Sequence, residues 1–251
     1  MRHPLAVAAC AVLLLVAGCR HHGASDARWV PSPNHEARRA IIVVVHATEQ
    51  GSVRESLATL RSENAGGKVS AHYLIGRDGR LYQLVDERQR AWHAGGGSWG
   101  RITDLNSASI GIELDNDGSA DFPPAQVARL LVLLEDICRR NDIPRSQVIG
   151  HADLAPWRKR DPGPRFPWRQ LAEAGFGAWP SADAGLPPPG FDGWVALQLV
   201  GYPMREPQAA LRAFRLHFRG IDDAVSPMGP EDARILYGLV ATQWNLGRES
   251  R

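Results

Sequence analysis

Short apolar runs alternate with longer amphipathic stretches through the middle of the chain. The β-branched run Ile41 to Val45 predicts a strand that is buried on both faces of a sheet, with His46 at its C-terminal end. Residues 109 to 114 alternate strictly, so that their isoleucines and leucine share one face while Gly111 and Glu113 share the other. Glu113 is therefore expected to point away from the apolar side of its strand.

The segments between and after these strands predict further elements. Strands are predicted over 71–76, 81–85 and 147–150, and helices over 53–62 and 124–141. His151 follows the last of these strands. Cys138 falls on the apolar stripe of the 124–141 helix, which favours a buried structural thiol over a nucleophile. Strands interleaved with helices indicate an α/β domain.

The N-terminus carries a targeting pattern. The apolar run over residues 5–17 is too short to span a bilayer as a mature helix, and it predicts a signal peptide over residues 1–18. The run closes with Ala-Gly before Cys19, which resembles the bacterial lipobox, so Cys19 is predicted to be lipidated and to begin the mature protein. An ordinary secretory signal with an incidental Cys19 is the alternative. Arg20 replaces the aspartate that often signals inner-membrane retention, which favours the periplasmic face of the outer membrane.

Changes in composition divide the rest of the chain. With 251 residues there is room for one sizeable core and a smaller one. We predict a polar tether over 19–28, a main domain over 29–179, a proline-rich linker over 180–190 and a small C-terminal domain over 191–251. Helical patterns near 195–199, 207–218 and 230–246 indicate that the last domain is a three-helix unit.

Composition narrows the class of protein. A hydrophobic content of 44% and a charged content of 22% are ordinary for a soluble globular protein, and they disfavour a multi-span membrane protein. The formal net charge of +2 is too small to suggest nucleic acid as a partner. With Cys10 removed and Cys19 lipidated, Cys138 would have no cysteine left to pair with in the folded chain.

Three residues of types that bind zinc stand at loop-like positions after predicted strands. His46, His151 and Asp161 are two imidazoles and a carboxylate. Catalytic zinc commonly takes three such ligands and leaves a fourth position for water. Taken singly, each residue is more often structural, as a hydrogen-bonded core histidine or a turn-forming aspartate.

The segment from Gly150 to Pro164, GHADLAPWRKRDPGP, makes the joint pattern more specific. It resembles the signature of zinc-dependent N-acetylmuramoyl-L-alanine amidases of type 2, the AmpD-like family, whose fold is shared with peptidoglycan recognition proteins. The resemblance covers residues 29–179. It includes PSPN at 31–34, VVVH at 43–46, SAHY at 70–73, AWHAG at 91–95 and SIGIEL at 109–114. The resemblance implies a central mixed β-sheet flanked by helices.

The resemblance also implies roles for single residues. It implies one zinc ion per chain, held by His46, His151 and Asp161. It assigns the catalytic work to Glu113, as the group that moves the proton, and to Lys159, as a cation beside the developing oxyanion. His93 matches a position that lines the substrate groove, whereas Asp153 is predicted to be structural in its loop.

The function implied is hydrolysis of the amide between N-acetylmuramic acid, in its ordinary or 1,6-anhydro form, and L-alanine of peptidoglycan stem peptides. Peptidoglycan, muropeptides and, through the anchor, a membrane are the expected partners of a monomeric enzyme. A peptidoglycan-binding protein without activity is the main alternative, which the complete ligand set disfavours. The second alternative is a cytosolic recycling enzyme, and the lipobox-like sequence disfavours it.

The C-terminal unit carries a resemblance of its own. Residues 209–219, AALRAFRLHFR, resemble the central helix of small peptidoglycan-binding domains. Simple packing of a three-helix core is the alternative explanation for the apolar positions of this helix. Together with the lipobox and the amidase motifs, the unit resembles that of the AmiD-like lipoprotein subgroup.

Overall fold

A computed structural model describes residues 24–64, 66–181 and 183–246. The predicted signal peptide and Cys19 lie outside these described residues. The strands are β1 (Arg28–Trp29), β2 (His35–Ala37), β3 (Ile42–Ala47), β4 (Glu63–Asn64), β5 (Gly67–Lys68), β6 (Tyr73–Ile75), β7 (Leu81–Gln83), β8 (Gln89–Ala91), β9 (Ser109–Leu114) and β10 (Val148–Gly150). The helices are α1 (Val53–Thr59), α2 (Leu105–Ala108), α3 (Pro124–Asn141), α4 (His151–Leu154), α5 (Trp168–Glu173), α6 (Gly193–Val200), α7 (Pro207–Arg219) and α8 (Pro230–Leu246).

A six-stranded sheet forms the centre of the fold, with strand order β1-β7-β6-β9-β3-β10. The pairs β6–β9, β9–β3 and β3–β10 are parallel, whereas β6 and β7 form an antiparallel hairpin. Two short antiparallel pairs, β2–β8 and β4–β5, lie outside this sheet. The α/β fold with a central mixed sheet and flanking helices is confirmed.

The centre of the sheet is covered on both faces, as the run of β-branched residues predicts. Val43 and Val45 belong to the buried cluster that contains the apolar stripe of α3. Ile42 and Val44, on the opposite face of β3, pack in a second cluster with Leu154 from α4. Because successive side chains of a strand alternate between faces, His46 continues the second face.

Helix α3 covers the first face of the sheet with the predicted bounds. It begins with Pro124, where a missing backbone N–H costs no helical hydrogen bond, and it ends before Asp142, which adopts a left-handed conformation with φ of 54°. Cys138 is buried and unpaired among the described residues, as predicted. Burial raises the pKa of its thiol to about 11, which is consistent with a structural role.

Several predicted bounds need correction. Strand β3 extends beyond the predicted residues 41–45, because β9 continues to pair with it as far as Ala47, and His46 therefore lies inside the strand. The predicted tether is also shorter. The Ala24 N–H donates to the Tyr73 hydroxyl at 3.1 Å in a buried contact, and β1 pairs with β7. Residues 24–29 make these contacts through their own backbone groups, which leave no trace in side-chain periodicity.

Helices α6, α7 and α8 form the three-helix unit that the sequence predicts after the proline-rich segment. Their shared core includes Leu211, Phe214 and Leu236. A buried ion pair joins α7 to α8, with Arg215 Nη2 2.7 Å from Asp232 Oδ2. Among residues 24–64, 66–181 and 183–246, no helix combines the length and apolar character that crossing a membrane requires.

The buried pair provides a test of what holds this unit together. Asp232→Asn removes the carboxylate that lies nearest to the buried Arg215 guanidinium, at 2.7 Å, and leaves it only the more distant Asp223, at 3.4 Å. A buried guanidinium that loses its main counter-charge is expensive. We expect the free energy of unfolding, measured by urea denaturation, to fall by about 3 kcal/mol. Glu231→Gln is the matched control, because its exposed pair with Arg234 is worth less than about 1 kcal/mol. Equal effects of the two substitutions would contradict this account of the unit.

Candidate functional site

Three parallel strands end at the same edge of the sheet and bring polar residues together there. His46 in β3 lies directly opposite Glu113 in β9. Gly150, the last residue of β10, lies opposite Val45. The next residue, His151, begins α4 and is thereby placed beside His46. The carboxyl ends of parallel strands are where open α/β sheets bind their ligands.

Ligand atoms of His46, His151 and Asp161 converge on one point. Nδ1 of His46 lies 3.0 Å from Nδ1 of His151, and Asp161 Oδ2 lies 3.3 Å from the first nitrogen and 3.1 Å from the second. All three side chains are buried. A tetrahedral zinc ion with ligands at about 2.0–2.1 Å separates them from each other by roughly 3.3 Å. The three atoms therefore fit three corners of such a site.

Each of the two histidine rings makes a polar contact on the side away from the converging nitrogens. His151 Nε2 lies 3.0 Å from the carbonyl oxygen of Ala94, which can only accept, so this nitrogen carries the proton and Nδ1 presents its lone pair. His46 Nε2 lies 2.9 Å from Nδ1 of His93. Contacts of this kind fix the orientation of metal-binding histidines.

The protonation states of His46 and Asp161 also suit the binding of a cation. The pKa of His46 is lowered to about 4, mainly by burial and also by the neighbouring His151, so that His46 is neutral near pH 7. Burial alone would favour a protonated Asp161, but the interactions with His151 and His46 outweigh it and hold the pKa of Asp161 well below its usual range. A neutral imidazole and an ionised carboxylate are the forms that coordinate metals.

Glu113 and Lys159 lie at the same cavity. Glu113 Oε1 is 3.9 Å from Nδ1 of His46. The pKa of Glu113 is raised to about 8, mainly by burial and also by the neighbouring Asp161, whereas Lys159 opposes the shift. A cation held beside it would favour the ionised carboxylate. Glu113 is thus placed and tuned to exchange protons near neutral pH.

The cavity itself has a volume of about 190 Å³. The three candidate metal ligands line it together with His93, Glu113 and Lys159, so all six residues that the sequence singled out for this site meet here. Another part of the cavity wall was missed by sequence reasoning. It includes Ser56 and Thr59 of α1, Leu60 directly after this helix, and the loop 48–50. Thr59 and Leu60 follow Ser56 by three and four positions and therefore share a helix face with it. This spacing is the one signal in the sequence that could have identified this part of the wall.

His93 has a second role that the sequence does not reveal. Its ring lies on the wall of the cavity and also contacts His46. It occupies space above β9 that is open only because residue 111 is glycine, since a Cβ there would lie 2.4 Å from Cγ of His93. Ser109 Oγ lies 3.3 Å from the other ring nitrogen of His93.

Comparisons with known proteins agree with this site. Residues 36–164 match the sequence profile of the family described as N-acetylmuramoyl-L-alanine amidase. The chain is 41% identical over 214 residues to N-acetylmuramoyl-L-alanine amidase AmiD of Escherichia coli K12, a match that spans 72% of this chain and 75% of that protein.

Two solved structures share the fold with high coverage. One is AmiD from E. coli in complex with the substrate anhydro-N-acetylmuramic acid-L-Ala-D-γ-Glu-L-Lys, with a TM-score of 0.72, 36% identity, and coverage of 82% of this chain and 90% of that chain. The other is AmpDh3 from Pseudomonas aeruginosa in complex with anhydromuramic pentapeptide, with a TM-score of 0.71, 34% identity, and coverage of 85% and 95%.

The close approach of His93 to Gly111 generates a prediction about metal affinity. Gly111→Ala displaces the His93 ring and with it the contact to His46, so we expect zinc affinity to fall by about 10- to 100-fold. Competition against a chromophoric chelator measures the dissociation constant. Gly96→Ala is the control, because a Cβ at Gly96 has no atom of the described residues within 4 Å. Equal zinc affinity in both folded variants would show that His93 does not orient His46.

Proposed function

The chain belongs to the N-acetylmuramoyl-L-alanine amidase family, and from that premise we infer how its own residues carry out the reaction. It is an N-acetylmuramoyl-L-alanine amidase of cell-wall recycling, and it binds peptidoglycan and muropeptides. The observation that supports the assignment of residues is the triangle of buried ligand atoms with Glu113 Oε1 3.9 Å from one of its corners.

We propose that His46, His151 and Asp161 hold a single zinc ion. Zinc dependence is typical of the family, and the separations of about 3 Å between the three ligand atoms suit a tetrahedral ion. When bound, zinc supplies Lewis acidity that polarises a carbonyl group and makes water nucleophilic near neutral pH. The open side of the triangle faces the cavity, where water and substrate can enter.

Glu113 carries the proton in the proposed mechanism. Its carboxylate accepts a proton from the attacking water and then returns it to the nitrogen of L-alanine as the amide bond breaks. The leaving amine would otherwise depart as an unstable anion. Burial raises the pKa of the Glu113 carboxyl, so the carboxylate readily takes the proton from water and holds it for the leaving nitrogen.

Lys159 stabilises the negative charge that develops on the carbonyl oxygen. Its side chain lines the cavity with Glu113, and a fixed ammonium group is worth more there than in water because the surroundings are buried. His93 has two proposed roles: it lines the substrate groove, and it orients His46.

We further propose that the substrate is a muropeptide that carries its stem peptide through L-alanine. Bound anhydro-muramyl peptides in the AmiD and AmpDh3 structures support this class of ligand. Ser56, Thr59 and Leu60 line the same cavity as the metal ligands. Their mixture of hydroxyl and apolar groups suits a peptide, which presents both polar backbone and apolar side chains.

Attachment to a membrane is proposed from the sequence alone. Residues 1–18 would be removed and Cys19 acylated, which would place the enzyme on the periplasmic face of the outer membrane. The support is the lipobox-like sequence at the end of a short apolar run. Within this proposal the protein acts as a monomer, and residues 191–251 add contacts to peptidoglycan.

Substitution of Glu113 and His151 separates metal binding from proton transfer. The protein lacking residues 1–19 should contain one zinc per chain and release stem peptide from muropeptides. Glu113→Gln should keep the zinc and lose activity by about 10²- to 10⁴-fold, because the proton carrier is gone. His151→Ala should lose both the zinc and the activity. Zinc content is measured by atomic emission, and cleavage is measured by chromatography.

Glu135→Gln is the control for the loss of a carboxylate, because Glu135 pairs with Arg145 in an exposed contact on α3. It should retain full activity. Wild-type protein that holds zinc and leaves muropeptides intact would favour the binding protein without activity. A Glu113→Gln variant with full activity would remove Glu113 from the mechanism.

The anchor has its own test in a bacterium that expresses the full chain. Cys19→Ala should move the protein from the membrane fraction to the soluble fraction and abolish labelling by a palmitate analogue, because acyl chains supply the attachment. Cys10→Ala is the matched control and should remain in the membrane fraction. Unlabelled wild-type protein in the soluble fraction would contradict the lipoprotein assignment.

A further inference from the structure

The helical turn that begins with His151 packs against the C-terminal helices. Ala152, the residue after His151, belongs to the same buried cluster as Leu211 and Phe214 of α7. Helix α7 lies against both α4 and α5. The C-terminal unit is therefore in direct contact with the segment that carries a proposed zinc ligand, instead of being suspended on a linker.

Asp153 is the centre of this contact. Its Oδ2 accepts from the backbone N–H of Gly150 at 2.7 Å, which caps the turn where His151 begins. The same carboxylate receives two side chains of the C-terminal unit: Nδ1 of His217 at 2.7 Å and the hydroxyl of Tyr202 at 2.7 Å. Asp153 is only 1% exposed, so these donors replace the water that would otherwise solvate it.

The two donors are themselves held by packing. The ring of His217 stacks on Trp168 from α5, with ring centroids 3.8 Å apart and an interplanar angle of 11°. Tyr202 contacts Trp99 edge to face, with centroids 5.2 Å apart. Neither ring can move away from Asp153 without disturbing these contacts.

The loop that carries the third proposed ligand is connected to the same unit. The backbone N–H of Ala152 donates to the carbonyl of Asp161 at 2.9 Å, which couples the turn at His151 to this loop. Arg160, next to Asp161, lies 3.7 Å from Asp222 of the C-terminal unit. Two of the three ligand-bearing segments are thus supported from one side by residues beyond the linker.

We propose that Tyr202 and His217 are positioning residues of the amidase site, which hold Asp153 and through it the turn that presents His151 to zinc. The inference rests on the proposed zinc site. It assigns to the C-terminal unit a part in building the active site, in addition to any contact with peptidoglycan. The reason is geometric, because a metal site tolerates displacements of about 0.5 Å before its affinity falls.

Removal of either donor leaves part of a buried carboxylate without a partner, and Asp153 must then turn or recruit water. Both adjustments disturb the cap on the Gly150 N–H and free the turn at His151. The expected consequence is weaker zinc binding by a protein that remains folded. A separate binding module would affect contacts with peptidoglycan and leave zinc affinity unchanged.

The test compares zinc dissociation constants of four variants of the chain lacking residues 1–19. Tyr202→Phe removes one hydroxyl and keeps the ring. His217→Phe keeps an aromatic ring against Trp168 and removes the donor, whereas His217→Asn restores a nitrogen at the position of Nδ1. Tyr237→Phe is the matched control, because Tyr237 lies on α8 with its ring against Phe191.

Competition with a chelator gives the affinities, and the visible absorption of the cobalt-substituted protein reports the coordination geometry. We expect about tenfold weaker zinc binding and an altered cobalt spectrum for Tyr202→Phe and His217→Phe. The zinc affinity of His217→Asn should return to within about threefold of the wild-type value, and the affinity of Tyr237→Phe should equal the wild-type value.

Two results would overturn the inference, and they are distinguishable. Wild-type protein without zinc would contradict the proposed zinc site, and the inference would fall with it. Wild-type affinity and an unchanged cobalt spectrum in folded Tyr202→Phe and His217→Phe would overturn the inference alone, and the C-terminal unit would then be a separate module.

Discussion

The parallel pairing of β9, β3 and β10 is the constraint on which the rest of the site depends. A one-residue shift of β3 against β9 would place His46 and Glu113 on opposite faces of the sheet, with one of them in the cluster beneath α3. The observed register instead sets His46 opposite Glu113 and starts α4 next to them. The valine-rich strand that fixes this register is thus part of the active site, although it contributes a single functional side chain.

Burial determines the chemistry that His46, Glu113 and Asp161 can perform. The same exclusion of water that keeps His46 neutral raises the pKa of Glu113, and it makes the ionised Asp161 dependent on its histidine neighbours. A cation among these groups would compensate for their desolvation. The three buried side chains His46, His151 and Asp161 therefore suit a metal ion.

Sequence reasoning located much of the site, because its residues sit at the ends of strongly patterned strands and within a distinctive loop. The alternation over 109–114 gave the orientation of Glu113, and the bounds of α3 followed from its apolar stripe. Contacts made across the fold left no local pattern. His93 reaches its position only because Gly111 lacks a Cβ. Tyr202 and His217 lie 49 and 64 residues beyond Asp153 along the chain.

The most direct measurement of the central claim is anomalous X-ray diffraction at the zinc absorption edge from crystals of the protein lacking residues 1–19. The account predicts one anomalous peak between His46, His151 and Asp161, at about 2.0–2.2 Å from Nδ1 of each histidine and from one carboxylate oxygen. A peak at other residues, or a site occupied only by water in crystals grown with zinc, would contradict it.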